Sequence, residues 1–120
     1  MKATLINKVT GGRIPVTSTT EHPTSSYGQA VWVDADNTAY CTCGMVNPLY
    51  DEEVDVSDVR GFGAYIKLAR VSRGVTVRGM AEACDLSPQT VQNVESGTYA
   101  PRLDIVIRMM QTLGLRLVAK

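Results

Sequence analysis

SPQTVQNVESG, residues 87–97, contains the signals for both ends of a short helix. Ser87 is a residue type that caps a helix N-terminus. Pro88 falls at the first helical position, where its missing N–H leaves nothing unsatisfied. Val91 and Val94 are three residues apart and share one side, and Gly97 supplies the stop. The positions left over, Gln89, Thr90, Gln92 and Asn93, are polar and uncharged. Two valines cannot hold so short a helix by themselves, so the segment needs neighbours to pack against.

The neighbours are legible on both sides. Upstream, Thr76 is an N-cap, with Met80, Ala81 and Cys84 on one face of the helix that follows. Asp85-Leu86 then leads into Ser87, so the spacing predicts two short helices joined by a tight turn, the dimensions of a helix-turn-helix. Further upstream, Phe62, Tyr65, Ile66 and Ala69 form a helical stripe with Gly74 as its C-cap. Downstream, Pro101 opens a fourth helix whose apolar side is Ile105, Val106, Met109, Met110 and Leu113. Gly114 closes it, and Leu115 to Val118 alternates like a short C-terminal strand.

The amino-terminal half has the strand period instead. KATLINKV (2–9) alternates, Thr10-Gly11-Gly12 turns, and Arg13 to Thr19 returns as the second arm of a hairpin. The hydroxyl-rich run 17–28 reads as a loop. Gln29 to Asp34 is a third strand carrying Trp32 as the core aromatic, residues 34–37 a turn, and Thr38 to Thr42 a fourth strand. The run 44–58, GMVNPLYDEEVDVSD, reads as the boundary between two units, and its acidic part, Asp51 to Asp58, as a solvated linker. The fold class expected is therefore α+β: a β-rich unit over 1–57, then a helical unit over 58–120.

The chain has no net charge, but the total hides a split. Residues 1–59 hold three basic and eight acidic side chains, a net of −5; residues 60–120 hold nine and four, a net of +5. A positive carboxyl-terminal unit is the footprint that phosphate binding requires. No apolar run is long enough to span a membrane, and MKATLINKVTGG lacks the apolar core of a secretory signal, so a cytoplasmic location is expected. The three cysteines, Cys41, Cys43 and Cys84, fit reduced thiols rather than a disulfide framework. Cys41-Thr42-Cys43 with His22 does not make up a tetrahedral ligand set, so no metal or other cofactor is expected. Glu21, His22, Ser25 and Ser26 crowd one loop, but closeness in sequence does not build a nucleophile and base, and no enzyme activity is expected.

The longer stretch from Phe62 through MAEACDLSPQTVQNVESGTYAPRLDIVIRMMQTLGL resembles the Xre/Cro-type phage-repressor family. The resemblance covers residues 60–118, and the ending LGLRLV is similar to the HipB-like antitoxin branch. It implies a lambda-repressor-like domain whose third helix lies in the major groove of double-stranded DNA. Carried across by position, the base contacts are Ser87, Gln89, Thr90 and Asn93, with Gln89 and Asn93 the principal readers. The phosphate contacts are Arg78, Gln92, Thr98 (with the Gly97-Thr98 backbone), Tyr99 and Arg102. Lys67, Arg70 and Arg73 form the solvated face of the first helix, and Glu95 holds an internal ion pair. Val77 and Pro88 stand where the family often has polar side chains, which shortens the list of direct contacts.

One recognition helix reads too few bases for genomic selectivity, so the expectation is a homodimer on an inverted repeat. Met109, Leu115, Leu117 and Val118 are its interface residues. The resulting reading is a sequence-specific transcriptional regulator, a repressor by occlusion. Two alternatives stand beside it. One is an autoregulating antitoxin whose amino-terminal half binds a toxin. The other is a protein-binding inhibitor or scaffold that uses its helices only to dimerise.

Overall fold

The computed structural model describes residues 1–25 and 29–118. The chain forms two compact units, Met1–Asp55 and Val56–Lys120.

The first unit is a five-stranded antiparallel sheet of β1 (Lys2–Asn7), β2 (Arg13–Thr19), β3 (Val31–Val33), β4 (Ala39–Thr42) and β5 (Tyr50–Val54), in the order β4-β3-β2-β1-β5. Ala3, Leu5 and Val16 alternate inward along the hairpin, and the register places Trp32, opposite Ser18, on the same face; Val31 and Val33, on the other face, are buried as well. The hairpin loop starts earlier than the alternation suggests. Asn7 Oδ1 accepts the Val9 and Thr10 N–H groups at 2.9 and 3.0 Å, which ends β1 before Lys8. In the β3–β4 turn, Asp34 Oδ1 accepts from Asp36 and Thr38, and Asn37 sits at φ 63°. Residues 26–28, part of the loop read over 17–28, and residues 119–120 lie outside the described residues.

One expectation is corrected here. The acidic run is not a linker: its first residues are β5, which pairs with β1 from Ala3↔Val54 to Asn7↔Tyr50. Its carboxylates have assigned positions. Asp51 faces Lys8 at 3.7 Å and Glu53 faces Arg13 at 2.8 Å. Glu52 accepts the Trp32 indole N–H at 2.8 Å and the Gly44 N–H at 3.1 Å. The charge density resembles a linker only when these cross-strand partners are left out.

The second unit contains α1 (Val59–Ser72), α2 (Val77–Cys84), α3 (Pro88–Glu95) and α4 (Leu103–Thr112). Each of the first three begins with a side-chain cap: Asp58, Thr76 and Ser87 accept from Gly61, Gly79 and Thr90. Asp85 ends α2 in the left-handed region at φ 57°, the tight turn that reverses the chain toward α3. The core comprises Ile66, Ala69, Met80, Ala81, Cys84, Val91, Val94, Ile105, Met109, Met110 and Leu113. Two details differ from expectation. Helix α4 starts at Leu103 rather than Pro101, with Arg102 as a cap that makes no side-chain bond. Residues 115–118 form no strand in the single chain. A lone terminal strand has no ladder partner in this helical unit, so its backbone groups gain nothing by extending.

Candidate nucleic-acid interface

Helix α3 is held by contacts on its inner face. Val91 and Val94 are fully buried. Gly63 of α1 lies so close to the end of α3 that a Cβ there would come within 2.0 Å of the Val94 carbonyl oxygen. Gly97, at φ 76°, likewise passes the backbone of Arg60.

A buried ion pair adds direction to this contact. Arg70 donates from Nε to Glu95 Oε2 and from Nη2 to Glu95 Oε1, both at 2.9 Å, and from Nη1 to the Val75 carbonyl at 2.8 Å. The two residues are 8% and 9% exposed. A two-point guanidinium–carboxylate contact fixes angle as well as distance. Arg70 thus clamps α1 to the C-terminus of α3 and to the segment before α2. This corrects the expectation that Arg70 belongs to a solvated face. Lys67 is exposed as expected, while Arg73 is half-buried and donates to the Ala69 carbonyl at 3.0 Å. Glu95 does hold the internal pair expected of it.

The outer face of α3 carries the four expected base-reading residues. Ser87 and Gln89 are exposed, and Thr90 and Asn93 are half-buried. Their polar atoms are partly engaged with one another. The Ser87 and Thr90 hydroxyls lie 2.8 Å apart, and Gln89 Nε2 donates to Asn93 Oδ1 at 2.9 Å. The four side chains thus form two hydrogen-bonded pairs on this face.

The expected phosphate contacts divide into two groups. Arg78, Gln92 and Arg102 are exposed. Arg102 donates to Asp104 at 3.3 Å, but both side chains are largely solvated, and such pairs exchange readily for a phosphate partner. The backbone at Gly97-Thr98 is less available. The Gly97 N–H is spent on the Val94 carbonyl, and the Thr98 and Tyr99 N–H groups on the Asn93 carbonyl. The Thr98 hydroxyl lies 2.8 Å from that of Ser96, and Tyr99 is half-exposed. Side chains, not amides, are what this corner can offer. Among the described residues of the unit, six exposed cations (Arg60, Lys67, Arg78, Arg102, Arg108, Arg116) face four exposed carboxylates (Asp58, Glu82, Asp85, Asp104).

The expected interface residues are not alike. Met109 is fully buried in the core of its own chain and presents no surface, which corrects its assignment. Leu115 packs partly against the same core, whereas Leu117 and Val118 are 66% and 62% exposed.

The chemistry-bearing residues of the amino-terminal unit have separate roles. His22 Nε2 lies 2.8 Å from the Asn37 carbonyl, so it carries the proton. Nδ1 accepts the Thr24 N–H at 3.1 Å. The Ser25 hydroxyl donates to the Gln29 carbonyl rather than to this ring; Ser26 lies outside the described residues. Burial, helped by the Glu52 carboxylate, pushes the Cys41 thiol up to about 11 and the Cys43 thiol up to about 12. Such thiols stay neutral and unreactive at ordinary pH.

Residues 66–119 match the family model described as Helix-turn-helix, a family of DNA-binding regulatory domains rather than catalytic ones. The match begins inside α1 and takes in α2, α3 and α4. No curated protein matches the chain. No helix among the described residues is long and apolar enough to cross a membrane.

Proposed function

We propose that this chain is a sequence-specific DNA-binding transcriptional regulator, a repressor that acts as a homodimer on an inverted-repeat operator. The observation that carries the reading is the outer face of α3. A Ser-capped helix, clamped from behind by Arg70–Glu95, displays Gln89, Thr90 and Asn93 within the segment that matches the helix-turn-helix family. Helix α3 enters the major groove with these side chains against base edges, and Arg78, Gln92 and Arg102 meet the flanking phosphates. Exposed Leu117 and Val118 supply the apolar contact between protomers. Regulation is by occupancy, with no bond made or broken, and takes place in the cytoplasm.

The test is selection of bound fragments from genomic duplex, followed by affinity measurements across a salt series. A steep fall in affinity with rising salt is expected. Arg102→Ala weakens binding to all sequences alike and lowers the salt slope by about one. An unchanged slope removes Arg102 from the phosphate contacts, and binding without salt dependence overturns the DNA reading itself.

One observation favours the antitoxin as a second reading. Val9, Val46 and Leu49 are 87%, 67% and 57% exposed. They lie on two loops that adjoin at one end of the sheet, where the Lys8 N–H bonds the Leu49 carbonyl at 2.9 Å. Exposed apolar side chains on adjoining loops suit a protein partner. Co-purification of a toxin, lost on Val46→Asp, decides for this reading.

A further inference from the structure

Gln89 and Asn93 stand one helical turn apart on α3, joined by the bond from Gln89 Nε2 to Asn93 Oδ1 at 2.9 Å. A glutamine amide has two N–H donors and one carbonyl acceptor. The bond to Asn93 uses one donor, leaving Gln89 one free N–H and its Oε1. In the major groove, guanine presents two acceptors, O6 and N7. Adenine presents one acceptor, N7, and one donor, N6–H. A glutamine with both protons free can give both to guanine or pair donor-and-acceptor with adenine. With one proton already spent, only the adenine pattern is matched on both atoms.

The rest of the helix points the same way. Between Pro88 and Glu95 there is no arginine or lysine, the side chains that most commonly read guanine. The Thr90 hydroxyl is engaged with Ser87 at 2.8 Å, which leaves its methyl group as the contact surface, and a methyl suits thymine. We propose that Asn93 is a positioning residue that sets base preference: by occupying one amide proton of Gln89 it closes the guanine mode, so α3 reads an A·T pair at the Gln89 position. The inference rests on the DNA-binding reading above and adds which base pair is chosen, and by what device.

The experiment compares duplex selection and affinity for the full chain and four variants: Gln89→Ala, Asn93→Ala, Asn93→Asp and the double alanine. The Gln89 position in the operator is the one whose preference disappears in Gln89→Ala. There, the unmodified chain favours adenine over guanine by roughly ten- to a hundred-fold. Asn93→Ala releases the second proton, and the adenine-to-guanine ratio at that position falls to within about twofold, whatever overall affinity is lost with the base contact of Asn93 itself. Asn93→Asp keeps the acceptor that holds Gln89. Its overall affinity drops because a carboxylate repels phosphate, yet its ratio stays at the original value. The double alanine has no more effect on the ratio than Gln89→Ala alone. Far-UV ellipticity equal to that of the unmodified chain confirms that each variant is folded, and the ratio, unlike affinity, does not respond to general destabilisation. Guanine preferred at this position, or an undiminished ratio in Asn93→Ala, overturns the inference and leaves DNA binding standing. Absence of any salt-sensitive duplex binding overturns both.

Discussion

Arg70 and Glu95 show how one residue pair converts a helical bundle into a defined surface. Removing two charges from water is costly, and the cost is recovered only when geometry is good and the remaining hydrogen-bonding atoms are satisfied. Here Nε and Nη2 meet the carboxylate and Nη1 meets the Val75 carbonyl, so the guanidinium is satisfied on three atoms. Glu95→Ala leaves a buried, unpaired cation and is expected to lower stability by about 3–5 kcal/mol in urea unfolding. Replacing both partners by apolar residues (Arg70→Met with Glu95→Leu) is expected to recover most of that loss, because no charge then remains buried. If the double variant is no more stable than Glu95→Ala, desolvation is not the dominant cost. From sequence, Glu95 was legible as an ion-pair residue through the family resemblance. Arg70 was not, because Lys67, Arg70 and Arg73 form a run of cations on one helix and only the position of α3 tells which is covered.

Among the elements, α1 depends most on a feature that local propensity disfavours. A glycine inside a helix costs about 1 kcal/mol relative to alanine. Gly63 is retained in α1 because the Val94 carbonyl occupies the space a Cβ would need. Gly63→Ala therefore reverses the usual sign. The helix gains propensity, but α1 and α3 must separate, and a net loss of about 1–3 kcal/mol is expected from overpacking. Thermal unfolding followed by far-UV ellipticity measures it, and a raised midpoint would show that the helices yield easily at this contact. Strand β5 gives the complementary lesson. YDEEV has an exposed, acidic composition that reads as solvated chain. It becomes a strand because β1 offers a free edge and Lys8, Arg13 and Trp32 offer partners. Its pairing with β1 spans some fifty residues of sequence, beyond any local window.

At the scale of the whole molecule, the two units can be followed separately, because the chain's one tryptophan lies in the sheet. Cys41 and Cys43 make that unit sensitive to alkali. Their thiols ionise near 9 in the unfolded chain and at about 11 and about 12 in the folded one, first because burial disfavours the thiolate and then because Glu52 lies near. The folded state thus holds these protons more tightly. The associated stability is fully present below the unfolded value and is lost as pH rises through the folded values. The urea midpoint seen by Trp32 fluorescence is expected to fall between about pH 9 and about pH 12, with a shallower fall in Cys43→Ala. A midpoint that stays level across that range would count against buried neutral thiols.

What the sequence by itself determined about this protein is the helical unit's plan. Thr76, Ser87-Pro88 and the glycines at 74, 97 and 114 mark helix ends through bonds and dihedral angles made within a few residues, and the valines of α3 declare its inner face. The amides presented outward follow from the same period. Tertiary structure alone decided the fifth strand, the burial of Arg70, and the close approach at Gly63. Each of these depends on a partner distant in the chain, and desolvation and steric fit act only once that partner has arrived.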